Sequence, residues 1–108
     1  MKVHERSVGD TLRTLPVEIQ RDGVAISIGS SDVVKFEMVS ACGTVKIAET
    51  ETGIQYTDRA AGQIDFAFSA SQVDEEGEFY GYFYHYVGAQ KERAPVERQK
   101  LKIVIYGK

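Results

Sequence analysis

Cysteine, proline, histidine and long apolar runs are all scarce in this chain. Its 108 residues include one cysteine, two prolines and two histidines. The single Cys42 excludes an internal disulfide, and no Cys/His pairing of the kind that holds zinc is present. No apolar run approaches the roughly 20 residues that a membrane-spanning helix needs. Met1-Lys2-Val3-His4-Glu5-Arg6 lacks the apolar centre of a secretory signal, so none is expected. Helical periodicity is missing as well. Without amphipathic segments of 10–15 residues there are no crossover helices, and an α/β fold is not expected.

What is present has the balance of a soluble globular protein, with 43% hydrophobic and 27% charged residues. A chain of this length buries enough surface for one core without metals or disulfides. One domain is therefore expected over residues 1–108, with 1–8 as an arm or a disordered lead-in.

The net charge of −3 is unevenly spread. Residues 1–48 carry six basic and six acidic groups. Residues 49–78 set Arg59 alone against eight carboxylates, and residues 79–108 carry six basic groups against two acidic ones. A nucleic-acid binder is usually net basic with a clustered cationic face, so neither nucleic acid nor membrane is an expected partner. Segments of opposite sign do suit patch-to-patch association.

A period of two runs almost throughout. Leu15, Val17 and Ile19 alternate with polar neighbours, and Pro16 either places that strand at an edge or breaks it there. Arg21-Asp22-Gly23 reads as a tight turn, followed by a short alternation of Val24, Ile26 and Ile28. Val34, Phe36 and Met38 share a face, as do Val45 and Ile47, Ile54 and Tyr56, and Ile64, Phe66 and Phe68. Ser69 to Gly77 is a polar connection with a helical turn near Ser71-Gln72-Val73. Gly77 to Val87 is the longest strand, Gly88 to Pro95 a charged loop, and Leu101, Ile103 and Ile105 the closing strand. Seven to eight short strands with frequent turns predict an all-β, antiparallel β-sandwich.

Few residue groups suggest chemistry. His85 shares strand parity with Phe79 and Phe83, so a packed or partly solvated histidine is favoured over a catalytic one. Cys42 sits in a turn beside Gly43 with no cationic neighbour in sight, which reads as a spectator thiol. Asp74, Glu75, Glu76 and Glu78 lack the spacing of a calcium loop and read as a solvated charge run. No catalytic, cofactor-binding or metal-binding residue is assigned, no cofactor is expected, and the chain reads as a non-enzyme.

The strand Phe79-Tyr80-Gly81-Tyr82-Phe83-Tyr84-His85-Tyr86-Val87 is the most informative segment. Tyr80, Tyr82, Tyr84 and Tyr86, four of the six tyrosines, line one face of it. Tyrosine is amphipathic and loses little rotamer entropy on binding, so one reading is an interface. The other is an aromatic ladder that stiffens the sheet, or a face covered by a loop of the same chain. The phenylalanine face is the candidate for the core.

The order of these signals resembles the immunoglobulin-like domain at the N-terminus of phage baseplate upper proteins, and of small phage tail or head accessory proteins. The pieces that carry the likeness are Gly9-Asp10-Thr11, the Asp22-Gly23 turn and Val34-Lys35-Phe36-Glu37-Met38. Further along they are Gly62-Gln63-Ile64-Asp65-Phe66, Val73 through Phe79, and the closing Leu101-x-Ile103-x-Ile105. The likeness spans residues 9–106. It implies a structural or adaptor subunit of a phage or prophage virion, assembled in the host cytoplasm, whose partners are other virion proteins and copies of itself. A carbohydrate- or ligand-binding module that uses the tyrosine face, with a glycan as partner, is the alternative.

Overall fold

The computed structural model describes residues 2–9, 11, 14–21, 24–94 and 101–107. Asp10, the Asp22-Gly23 turn and Pro95 lie outside the described residues. In chain order the strands are β1 (Lys2–Ser7), β2 (Leu15–Glu18), β3 (Gln20–Arg21), β4 (Val24–Ala25), β5 (Val33–Ser40) and β6 (Val45–Thr50). There follow β7 (Ile54–Asp58), β8 (Gln63–Phe66), β9 (Gly77–Val87), β10 (Gln90–Ala94) and β11 (Leu101–Tyr106). A single 3₁₀ turn, Ala70–Gln72, leads toward β9. Among the described residues there is no α-helix. The chain is all-β, and its sheets pack in the manner of a β-sandwich.

The larger sheet has the order β1-β11-β9-β5-β6, and β10 also pairs with β9. The smaller sheet has the order β2-β8-β7, and β3 and β4 form a separate two-stranded ribbon. β9 lies at the centre because both its flanks are paired. β5 runs antiparallel along one flank, from Val33 opposite Tyr86 to Ser40 opposite Phe79. β10 and β11 lie end to end along the other, Gln90 opposite Val87 and Leu101 opposite Gly81. β1 then joins β11 in parallel, with Lys2 beside Leu101 and Ser7 beside Tyr106.

Alternation supplies the core. Val34, Phe36 and Met38 of β5, Phe79 and Phe83 of β9, and Leu101, Ile103 and Ile105 of β11 are all buried. They meet Leu15, Ile64, Phe66 and Phe68 from the opposing layer. Phe36 is the hub, with ring centroids 4.4 Å from Phe66 and 4.8 Å from Phe83. Each such side chain contributes roughly 1.5–3 kcal/mol on burial. Gly81 leaves a gap in the middle of the inward row of β9, and its neighbours need the space. A Cβ there would sit 2.9 Å from Phe36 Cε1 and 3.1 Å from both Leu101 and Ile103.

Several expectations change. The described residues form eleven strands, where the sequence suggested seven or eight. Residues 2–7 are not an arm but a strand, β1, whose inward His4 and Arg6 close one margin of the core. Arg6 is only 2% exposed, its guanidinium lies 4.2 Å above the Phe68 ring, and its Nη2 is 2.9 Å from His4 Nε2. Gln90 to Ala94 is a strand rather than a loop. It pairs with β9 through its backbone, and its charged composition hides a ladder that needs no apolar side chains. Val45 does not share the buried face of Ile47. Register shifts between β5 and β6 break the parity and leave Val45 54% exposed. Of the two alternatives Pro16 leaves, an edge or a break, the first holds: β2 runs through it at the edge of the smaller sheet.

Candidate functional site

The outer face of β9 carries Tyr80, Tyr82, Tyr84 and Tyr86 side by side, each half-buried. A central strand dictates this. Every tyrosine is flanked by cross-strand neighbours, with Val39, Glu37, Lys35 and Val33 opposite them on β5. Lys102 lies opposite Tyr80 on β11, and Lys91 opposite Tyr86 on β10.

Charged side chains fix the rings. The Tyr84 hydroxyl donates to Glu37 Oε1 at 2.9 Å. Lys91 Nζ sits 4.2 Å from the Tyr84 centroid and 5.6 Å from that of Tyr86, while Lys35 Nζ is 5.0 Å from Tyr86. A cation over a ring centroid means that the ring's π face is turned toward that ammonium group. Lys91 then reaches Glu49 Oε2 at 3.0 Å, strapping β10 to β6 across the face. The other Glu49 oxygen, Oε1, is buried with no hydrogen-bond partner among the described residues. Toward the other end, Lys102 pairs with Glu78 at 2.5 Å, and the Tyr106 hydroxyl donates to Glu5. These contacts raise the pKa of both Lys102 and Tyr106, through the hydrogen bond to Glu78 in one and to Glu5 in the other. The surface is thus an aromatic row set in matched charges.

His85 lies on the inward face of the same strand and is 6% exposed. Its Nε2 is 2.9 Å from Asp32 Oδ2, which also accepts the Gly29 N–H at 2.8 Å. Those two hydrogen bonds, His85 first, hold the Asp32 carboxyl below its ordinary value. Arg59 donates to the carbonyls of Gly29 and Asp32 and stacks 3.7 Å over Tyr56. The Tyr56 hydroxyl donates to Glu51 and accepts the Val34 N–H. This cluster clasps the Gly29–Asp32 loop to both sheets. It is the packed histidine that strand parity suggests.

Cys42 is exposed at the tip of the β5–β6 hairpin. Its Sγ lies 3.2 Å from Ser40 Oγ and 4.0 Å from Thr44 Oγ1. Hydrogen bonds from Ser40, then Thr44, draw the thiol below its ordinary pKa. Two hydroxyls here stand where a cationic neighbour would otherwise be needed to lower the thiol. The spacing Ser40-x-Cys42-x-Thr44 around a positive-φ Gly43 was the available signal.

The acidic run divides between partners and solvent. Asp74 pairs with Lys46 at 2.6 Å, which lowers its pKa, while Glu75 and Glu76 are exposed. Among the described residues no group of three His, Cys, Asp or Glu side chains is placed to hold a metal ion. No helix there is long and apolar enough to cross a membrane. A shallow open depression lies on the outside of the smaller sheet, between Pro16, Glu18, Thr57, Gln63 and Asp65.

No protein-family model matches this chain, and no curated protein matches it.

Proposed function

We propose that this chain is a non-enzymatic structural or adaptor subunit of a phage or prophage virion, an immunoglobulin-like sandwich that acts by protein–protein contact. The observation that carries the proposal is the row Tyr80, Tyr82, Tyr84 and Tyr86 on the outer face of the central strand. Side chains already restrained by Glu37, Lys35 and Lys91 have less conformational freedom left to lose on docking. Their mixed polarity suits a subunit contact.

The strand orders support the immunoglobulin-like part. β2-β8-β7 corresponds to the B-E-D strands of such a sandwich, and β11-β9-β5 to its G-F-C strands, with β6 as an added strand. The order of motifs along residues 9–106 supports the virion part. On this reading the chain assembles in the host cytoplasm and ends in the particle, against other virion proteins and copies of itself.

Mass spectrometry of particles purified from the phage or prophage that encodes the chain tests the proposal. The chain is expected in the particles at a stoichiometry comparable with other structural subunits. Particles that lack it contradict the proposal.

The second reading, a carbohydrate-binding module, draws on the π faces of Tyr84 and Tyr86, which a sugar ring would have to cover in place of the Lys91 and Lys35 ammonium groups. A glycan titration followed by tyrosine fluorescence separates the two, since saturable sugar binding by a monomer favours the second.

A further inference from the structure

We propose that β1 is an acid-released strand, held to the larger sheet while the His4 ring is neutral and let go when that ring takes up a proton. β1 ends the strand order of the sheet and is joined to it through β11, by a parallel ladder. Parallel pairing is slightly the weaker kind. Among the described residues of β1 no apolar side chain serves as an anchor. Val3 points outward and is 52% exposed, and Glu5 and Ser7 are exposed as well. The inward anchors are His4 and Arg6, opposite Ile103 and Ile105 of β11. Arg6 is buried with its guanidinium over Phe68, and the His4 ring lies nearly parallel to Phe68 with 6.3 Å between centroids.

Arg6 fixes the charge state of His4. Its Nε lies 3.2 Å and its Nη2 2.9 Å from His4 Nε2. A guanidinium carries donors only, so His4 Nε2 must accept, which leaves the ring neutral with its proton on Nδ1. A proton on Nε2 removes that acceptor and sets a second cation against a buried one. Ile103 on β11 and Phe68 across the layer bring no charge to the ring. The charged neighbours Lys102 of β11 and Glu5 of β1 lie on the outer face, engaged with Glu78 and Tyr106. Histidine changes charge between about pH 5 and 8. Release therefore belongs to mildly acidic solution, above the range in which ordinary carboxylates protonate. Peeling stops at Val8 and Gly9, whose N–H groups donate to the Tyr106 and Val73 carbonyls at 2.8 Å. What opens is the outer flank of β11 and the Phe68 ring beneath Arg6.

Amide exchange followed by NMR at about pH 7 and about pH 5 tests the proposal. Rates are converted to protection factors, which removes the pH dependence of the exchange chemistry itself. In wild type, protection of the β1 amides, and of the β11 amides that face β1, is expected to fall roughly tenfold at the lower pH. Amides shared between β5 and β9 are expected to keep theirs. His4→Gln offers Arg6 an acceptor that does not titrate, so its β1 protection is expected to be the same at both pH values. Nitrogen shifts of the His4 ring at the higher pH, assigned by their loss in His4→Gln, are expected to show a protonated Nδ1 and a bare Nε2. β1 protection in wild type that ignores pH overturns the proposal, as does a fall that persists in His4→Gln. A fall shared equally by β5 and β9 also overturns it, since that marks global unfolding, and so does a neutral His4 ring with its proton on Nε2.

Discussion

His85 Nε2 lies 2.9 Å from Asp32 Oδ2, tying the inward face of β9 to the loop that leads into β5. Asp32 titrates below its ordinary value because of that hydrogen bond and the one from Gly29. A carboxylate depressed in the folded state stabilises the fold at pH above its unfolded value. That contribution is lost as pH falls through the folded value. Urea midpoints are therefore expected to drop as pH falls below about 4. Asp32→Asn should shrink this acid dependence without abolishing it, since Asp74 is lowered by Lys46 in the same sense. An acid limb identical in wild type and Asp32→Asn removes the clasp from the account.

Gly81 should tolerate no side chain. Its missing Cβ is what lets Phe36 Cε1 approach. Gly81→Ala is expected to cost about 1–3 kcal/mol through overpacking, measured as a lowered denaturation midpoint with the slope unchanged. A neutral result would mean that Phe36, Leu101 and Ile103 repack freely.

The Cys42 thiol should ionise below its ordinary value, with Ser40 the larger cause. The rate of iodoacetamide alkylation against pH gives the value directly. Ser40→Ala should move the profile toward higher pH, and Thr44→Ala should do so by less. Profiles that do not move would assign the shift elsewhere.

Lys91 straps the tyrosine face by pairing with Glu49 and covering Tyr84. Partly exposed pairs of this kind contribute little, so Lys91→Ala is expected to change stability by less than about 1 kcal/mol. Near-ultraviolet dichroism of the tyrosines should nevertheless change, because the ring environment does. A large loss of stability with an unchanged tyrosine spectrum contradicts this picture.

Much of the layered fold was legible because the apolar alternation in β5, β8, β9 and β11 is strict. Legibility fails where pairing depends on backbone alone or where parity breaks. β10 has charged residues and one flank of pairing, so nothing in its composition marks a strand. β1 places a histidine and an arginine inward, and Arg6 becomes a core-margin residue only because Phe68 offers its ring. Val45 follows the pattern of Ile47 in sequence, yet a register shift against β5 turns it to solvent.

The tyrosine row was visible as a period of two, but its fixing was not. Lys91 and Glu49 are 42 positions apart, and only the sheet order brings them together. The hydroxyl cradle of Cys42 was readable in principle, since a tight hairpin aligns the residues two places before and after its tip.

The most direct test of the account compares wild type with Tyr82→Ala/Tyr84→Ala as each is supplied during particle production, with both chains shown to be folded. The account predicts wild type in the purified particles and the variant left behind in the soluble fraction. Equal incorporation of the two would contradict it.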